Sequence, residues 1–159
     1  MVYSFEQFKN HKNIPNIQKL VEFIHVDKKT DINESRSETY QNLCWKNAKV
    51  GDIVDESDIY QYVQSLHRNY DDFHEGDLGD RIEKYKRYKL MKINIDLLDL
   101  DEWYKDEDHV EDIEAKIEKT GTYPPIIIDR DFCIIDGTHR ANAVNNLGMD
   151  TILVWKGIK

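Results

Sequence analysis

Apolar residues recur along this chain at two spacings, and the change from one to the other outlines its elements. Over Ser4–His25, Phe5 and Phe8 are followed by Ile14, Ile17, Leu20, Val21 and Ile24 at helical spacing, with Pro15 marking a fresh helix start. Val26–Ser37 is polar throughout and reads as a loop. Tyr40, Leu43 and Cys44 share one side of a helical stretch that ends near Trp45–Lys49, and Val50–Val54 reads as a turn or short strand. Asp55 or Ser57 is placed to cap the next helix, whose stripe is Ile59, Tyr62, Val63, Leu66 and Tyr70. These apolar residues read as core rather than as a cofactor pocket. Asp71–Arg81 then reads as an acidic, glycine-bearing loop, and Ile82–Tyr88 as a helix with Asp80 near its start.

Beyond residue 88 the period shortens. Leu90, Ile93 and Ile95 suit a strand over Leu90–Leu98, and Val110, Ile113 and Ile117 suit a helix over His109–Lys119 that Gly121 ends. Two short β-branched runs, Ile126–Ile128 and Phe132–Ile135, flank Asp129-Arg130-Asp131 and predict a hairpin. Arg140, Ala143, Val144 and Leu147 then stand at i, i+3, i+4 and i+7, closed by Gly148, and a last strand follows at Thr151–Trp155. The fold class is therefore α+β: a small mixed β-sheet with packed helices and an N-terminal helical region. Its expected division is residues 1–87, helical, and 88–159, the sheet domain. Trp103 and Tyr123 read as covering the core edge, with stacking on a base as the alternative.

The junction Asp136-Gly137-Thr138-His139-Arg140-Ala141 carries the candidate chemistry, because there a strand turns on glycine straight into a helix. The first turn of a helix presents unpaired N–H groups and a positive dipole end, which together suit an anion. Gly137 lets a ligand approach the backbone closely. Thr138 is placed to cap the helix or donate to an oxygen. Arg140 offers a planar fork that suits phosphate, and His139 can donate to phosphate or move a proton near neutral pH.

Composition narrows the partners. In 159 residues, 33% are charged and the formal net charge is −9, which opposes nonspecific binding to a phosphate backbone and leaves room only for a local basic pocket. Two cysteines write neither a disulfide framework nor a zinc cluster, so reduced thiols and a cytoplasmic setting are expected. No apolar stretch reaches membrane-spanning length, and no signal-type apolar region opens the chain. In Asp71–Arg81 the carboxylates and His74 have the ligand types for a divalent metal, but their spacing matches no calcium loop and a solvated turn is the simpler reading. Were that loop to fold over the helix mouth, Arg81 would reach a second substrate. No metal ligand is assigned.

The order proline-led strand, short turn, strand, Asp-Gly-X-His-Arg, alanine-bearing helix and Leu-Gly resembles the ParB/sulfiredoxin-like superfamily over about residues 88–159. The family includes sulfiredoxins, the N-terminal domains of chromosome-partition proteins and free-serine kinases, which share a nucleotide-phosphate site at this motif. Thr138 stands where sulfiredoxins carry their reacting Cys, and Cys133 lies upstream in the strand, so reductase chemistry is not expected. The partition-protein motif Gly-Glu-Arg-Arg is absent, and no DNA-reading segment follows Thr151–Trp155 within the chain. The serine kinases match best, with Asp101-Glu102 after the first strand in about the position of their Glu.

The resemblance implies a nucleotide-binding phosphotransferase. Gly137, Thr138, His139 and Arg140 would hold the phosphates of ATP or ADP. Glu102 or Asp136 would accept the proton of an attacking hydroxyl, His139 would serve the proton transfer, and Mg²⁺ would bridge carboxylate and phosphate. The acceptor would be a small molecule or a protein. Two alternatives stand beside it: a nucleotide-binding regulatory or adaptor module without turnover, and a ParB-like nuclease built on a carboxylate cluster near Asp77–Asp80.

Overall fold

Strand β5 (Thr151–Gly157) is the spine of the computed structural model, which describes residues 36–67, 75–100 and 106–159. It pairs antiparallel with β2 (Arg87–Asn94) along its whole length, Tyr88 opposite Gly157 through Asn94 opposite Thr151. On its other side it runs parallel to β3 (Ile126–Ile128), with Ile127 beside Trp155. A short β1 (Ile53–Asp55) adds antiparallel to β2, and β4 (Ile134–Asp136) adds antiparallel to β3. The result is a five-stranded mixed sheet in the order β1-β2-β5-β3-β4. The α+β class, mixed sheet and packed helices are as expected.

Successive side chains of a strand point to opposite faces, and here both faces are covered. Ile126, Ile128, Ile134, Ile152 and Val154 pack against Val110 and Ile117 of α3 (Glu107–Thr120) and Ala141, Ala143 and Val144 of α4 (Thr138–Asn146). Ile127, Ile135, Trp155, Tyr88 and Leu90 pack on the opposite face. Their partners are Ile59, Tyr62 and Val63 of α1 (Glu56–Leu66) and Ile82 of α2 (Glu75–Glu83). All three residues of β3 are buried, as a central strand between two helical layers requires. Ser37–Lys159 is one compact unit, so the sheet domain includes residues on both sides of the division expected at 87/88.

Several local readings change. Asp71–Arg81 is not a loop over its described part: α2 spans Glu75–Glu83, because Leu78 and Ile82, four residues apart, give it an apolar face. The helix expected over Ile82–Tyr88 is replaced by the end of α2 and the start of β2, where Tyr88 and Leu90 both turn into the core. Arg81 does not approach the α4 mouth; its Nη2 donates to the Ile134 carbonyl at 2.7 Å and ties α2 to the edge strand β4. That strand begins at Ile134 rather than Phe132, since Phe132 takes φ 67° in a turn held by the Asp129 carboxylate. There Asp129 Oδ1 accepts from the N–H groups of Asp131 (2.8 Å) and Cys133 (2.9 Å). The N-terminal helix expected over Ser4–His25, the loop Val26–Ser37 up to residue 35, Tyr70, His74, Trp103 and Glu102 lie outside the described residues.

Candidate functional site

Between β3 and β4 the register slips by one residue, Ile127 facing Asp136 while Ile128 faces Ile134. A bulge of this kind bends a strand and re-aims the side chains at its end. The redirected residue is Asp136. One of its oxygens accepts from Nε2 of His67 at 2.9 Å, and the other from Nη2 of Arg140 at 2.9 Å. Burial alone would raise the Asp136 carboxyl, but the His67 hydrogen bond and the Arg140 charge outweigh it and hold the group below the ordinary carboxylate value.

Arg140 is itself only 9% exposed. Its Nη1 donates to the carbonyls of Pro124 (3.0 Å) and Pro125 (3.2 Å), and Tyr62 Oη donates to the Pro125 carbonyl at 2.8 Å. The fork read from the sequence as a phosphate clamp is thus turned onto protein partners. It closes a network among β4, α4, α1 and the Pro124-Pro125 segment. Gly137 makes the tight connection possible. At φ 105° it occupies the N-cap of α4 and no side chain caps the helix; Thr138 is the first helical residue rather than the cap. A Cβ at Gly137 would stand 2.5 Å from Cγ2 of Ile126.

Beside this network lies a cavity of about 390 Å³. Asp136, Gly137, His139 and Arg140 line it, as do residues for which the sequence offered no signal: Trp45, Leu66, His67, His109, Lys116 and Thr122. Thr138 is not on its wall, and its carbonyl accepts from Asn142 Nδ2 at 2.8 Å. Tyr123, read as core edge, is buried, and its hydroxyl accepts the Leu153 N–H at 3.1 Å; it also lines the cavity. His139 Nε2 accepts the Asp106 N–H at 3.1 Å, so that nitrogen carries a lone pair and the ring proton sits on Nδ1. The His109 and His139 rings meet edge to face with centroids 4.9 Å apart. Nothing in the local sequence couples His67 to Asp136 or His109 to His139. Only the packing of α1 and α3 around the sheet does so.

The cavity wall carries two cations, Lys116 and Arg140, one carboxylate, Asp136, which pairs with Arg140, and three histidines that can exchange protons or hydrogen-bond. In a chain of net charge −9 this is a local basic site. Trp45, Leu66, Ile113, Ile117 and Tyr123 add apolar and aromatic surface to the same wall. Such a mixed cavity suits a small molecule with a flat or apolar body and an anionic end. Among the described residues, no group of three His, Cys, Asp or Glu side chains is placed to hold a metal ion, and Asp77 and Asp80 lie on α2. Each oxygen of Asp136 accepts one hydrogen bond within the network. Cys133 is exposed, but the Asp129 charge, a little burial and Asp131 push its thiol above the ordinary value, which disfavours the nucleophilic thiolate. Buried Cys44 is pushed up to about 12 by desolvation and Asp58. No helix among the described residues is long and apolar enough to cross a membrane.

No protein-family model matches the chain, and no curated protein matches it. Among solved structures, it is similar to the C2221 form of a pNOB8-like ParB N-domain, with 23% identity and a TM-score of 0.38, over 43% of this chain and 29% of that one. Another structure of the pNOB8-like ParB N-domain is similar at 25% identity and a TM-score of 0.35, over 43% of this chain and 27% of that one. Both matches cover 43% of this chain and less than a third of the other.

Proposed function

We propose that this chain is a ParB/sulfiredoxin-like protein that binds a nucleotide in the cavity at the α4 N-terminus and transfers a phosphoryl group from it to a small hydroxyl-bearing acceptor. The observation that carries the reading is the combination of basic with aromatic and apolar side chains on one cavity wall inside an acidic chain. Lys116 and the N–H groups at the start of α4 are the phosphate donors, with His139 on the same wall. Asp136 orients Arg140 and His67 through its two oxygens, and Glu102 or Asp136 accepts the proton of the acceptor hydroxyl. Phosphoryl transfer asks a protein mainly for positioning and charge neutralisation, which such a cavity can supply.

The engagement of Asp136 also favours a second reading, a nucleotide-responsive module without turnover. One set of titrations separates these readings from a structural turn. ATP, ADP, CTP and GTP with Mg²⁺ are titrated calorimetrically into the wild type and Lys116→Ala. Saturable binding that weakens about tenfold in Lys116→Ala is expected from the loss of one charged donor. Arg140→Ala is the poorer control because it would strand a buried carboxylate. Binding with phosphate transfer that Glu102→Ala abolishes supports the phosphotransferase; binding without transfer to any acceptor supports the module. Absence of binding to all four nucleotides overturns both.

A further inference from the structure

Trp45 lies in a wide π-helical turn, Asn42–Lys46, outside the part of the chain that resembles a known family. Turns of this kind interrupt a helix and often sit at functional sites. This one is fastened at three points. Trp155 Nε1 donates to the Cys44 carbonyl at 2.8 Å, Cys44 Sγ to the Asp58 carbonyl at 3.9 Å, and Trp45 Nε1 to Thr122 Oγ1 at 3.3 Å. Lys46 Nζ stands over the Trp45 ring, 5.8 Å from its centroid. Cys44 is fully buried while the next residue, Trp45, is half-buried and lines the cavity. The ring is therefore held in place before any ligand arrives.

The opposite wall gives the cavity a direction. His109, Ile113, Lys116 and Thr120 lie at i, i+4, i+7 and i+11 on one face of α3 and all line the cavity. At 1.5 Å per residue that face runs about 16 Å. Thr122, which holds Trp45, lies just past its C-terminal end; His109, in contact with His139, marks its N-terminal end; Lys116 stands between. A single inorganic phosphate cannot bridge such a span, whereas a planar ring joined to a phosphate chain can.

We propose that Trp45 is the base platform of the site: the heterocycle of a nucleotide stacks on it, and the phosphate chain runs along α3 past Lys116 toward Gly137 and His139. This rests on the nucleotide reading above. The test compares Mg·ATP with tripolyphosphate, which has the charges but no ring, on the full chain as wild type, Trp45→Leu and Trp45→Phe. Base–aromatic stacking predicts that Trp45→Leu weakens ATP about tenfold while tripolyphosphate changes less than about twofold, and that Trp45→Phe retains most of the ATP affinity.

Equal weakening of both ligands, or an unchanged ATP affinity, overturns the platform and leaves the nucleotide reading standing. So does a wild type that binds tripolyphosphate as tightly as ATP. A wild type that binds neither overturns the nucleotide reading and this proposal with it. If circular dichroism shows Trp45→Leu unfolded, tryptophan fluorescence decides. Quenching by ATP in the wild type that Trp45→Phe lacks supports the platform, and the same quenching in both overturns it.

Discussion

Asp136 shows how far one carboxylate can be shaped by what it touches. His67 donates to one of its oxygens and Arg140 to the other, and together they hold the group ionised inside the fold. Its contribution to the fold is correspondingly large and has a definite pH signature. The carboxyl titrates at its ordinary value of 3.8 in the unfolded chain and below that in the folded one. The fold therefore favours the ionised form, and that stabilisation is complete above the unfolded value and is lost as pH falls through the folded value. Asp136→Asn should lower stability by about 3–5 kcal/mol at pH 7, the range for removing one partner of a buried ion pair. Urea unfolding of the wild type and variant between pH 7 and pH 3 measures this. The gap should narrow below pH 3.8; a constant gap would mean that the charge of Asp136 is not what holds the network.

Among the elements, the β4–α4 junction depends on Gly137 in two separate ways. Its φ of 105° disfavours any residue with a Cβ, and the added atom would lie 2.5 Å from Cγ2 and 2.8 Å from Cβ of Ile126 on the neighbouring strand. Strain and overpacking each cost about 1–3 kcal/mol, so Gly137→Ala should lose about 2–4 kcal/mol in denaturant unfolding. Gly148→Ala, with a φ of 77° but open space around the added atom, should lose less.

The sequence showed this junction clearly because a β-branched run, Asp-Gly and a helical stripe follow one another without a gap. Long stripes were equally legible: Ile59, Tyr62 and Val63 place α1, and Val110 and Ile117 place α3. The stretch Asp71–Asn94 was harder to read. Two glycines and many acids hide the Leu78–Ile82 face of α2. Ile82, Tyr85 and Tyr88 recur at three-residue steps like a helix, yet they belong to a helix end, a connection and a strand. Pairing with β5, 57 to 69 residues away from Asn94↔Thr151 to Tyr88↔Gly157, decides that β2 is extended. The same non-locality concealed much of the site. The motif placed Asp136, Gly137, His139 and Arg140 at one cavity, whereas Trp45 and His67 reach it only through the packing of the preceding half.

At the scale of the whole molecule, the part that resembles a known family shares one sheet face with residues that lie before it. Residues 88–159 contain four of the five strands with α3 and α4, so one sheet face keeps its helical layer. The opposite face would keep Tyr88, Leu90, Ile127, Ile135 and Trp155 while losing Ile59, Tyr62, Val63 and Ile82 from above them. Tyr62 also supplies a hydrogen bond to the Pro125 carbonyl, and His67 supplies one to Asp136. Arg81 satisfies a carbonyl on the outer edge of β4, an edge that would otherwise invite pairing with another chain. A fragment of residues 88–159 should therefore aggregate or bind a hydrophobic dye without a cooperative melt. A fragment of residues 37–159, the compact unit, should unfold in one cooperative transition and keep the cavity. Thermal melts of both fragments, followed by near-ultraviolet circular dichroism for the environments of Trp155 and Tyr62, provide the measurement. A cooperative melt of residues 88–159 alone would show that the α1 and α2 layer is an addition to a stable core. Its absence would show that this layer, which also carries Trp45 and His67 to the cavity, was built into the fold together with the site.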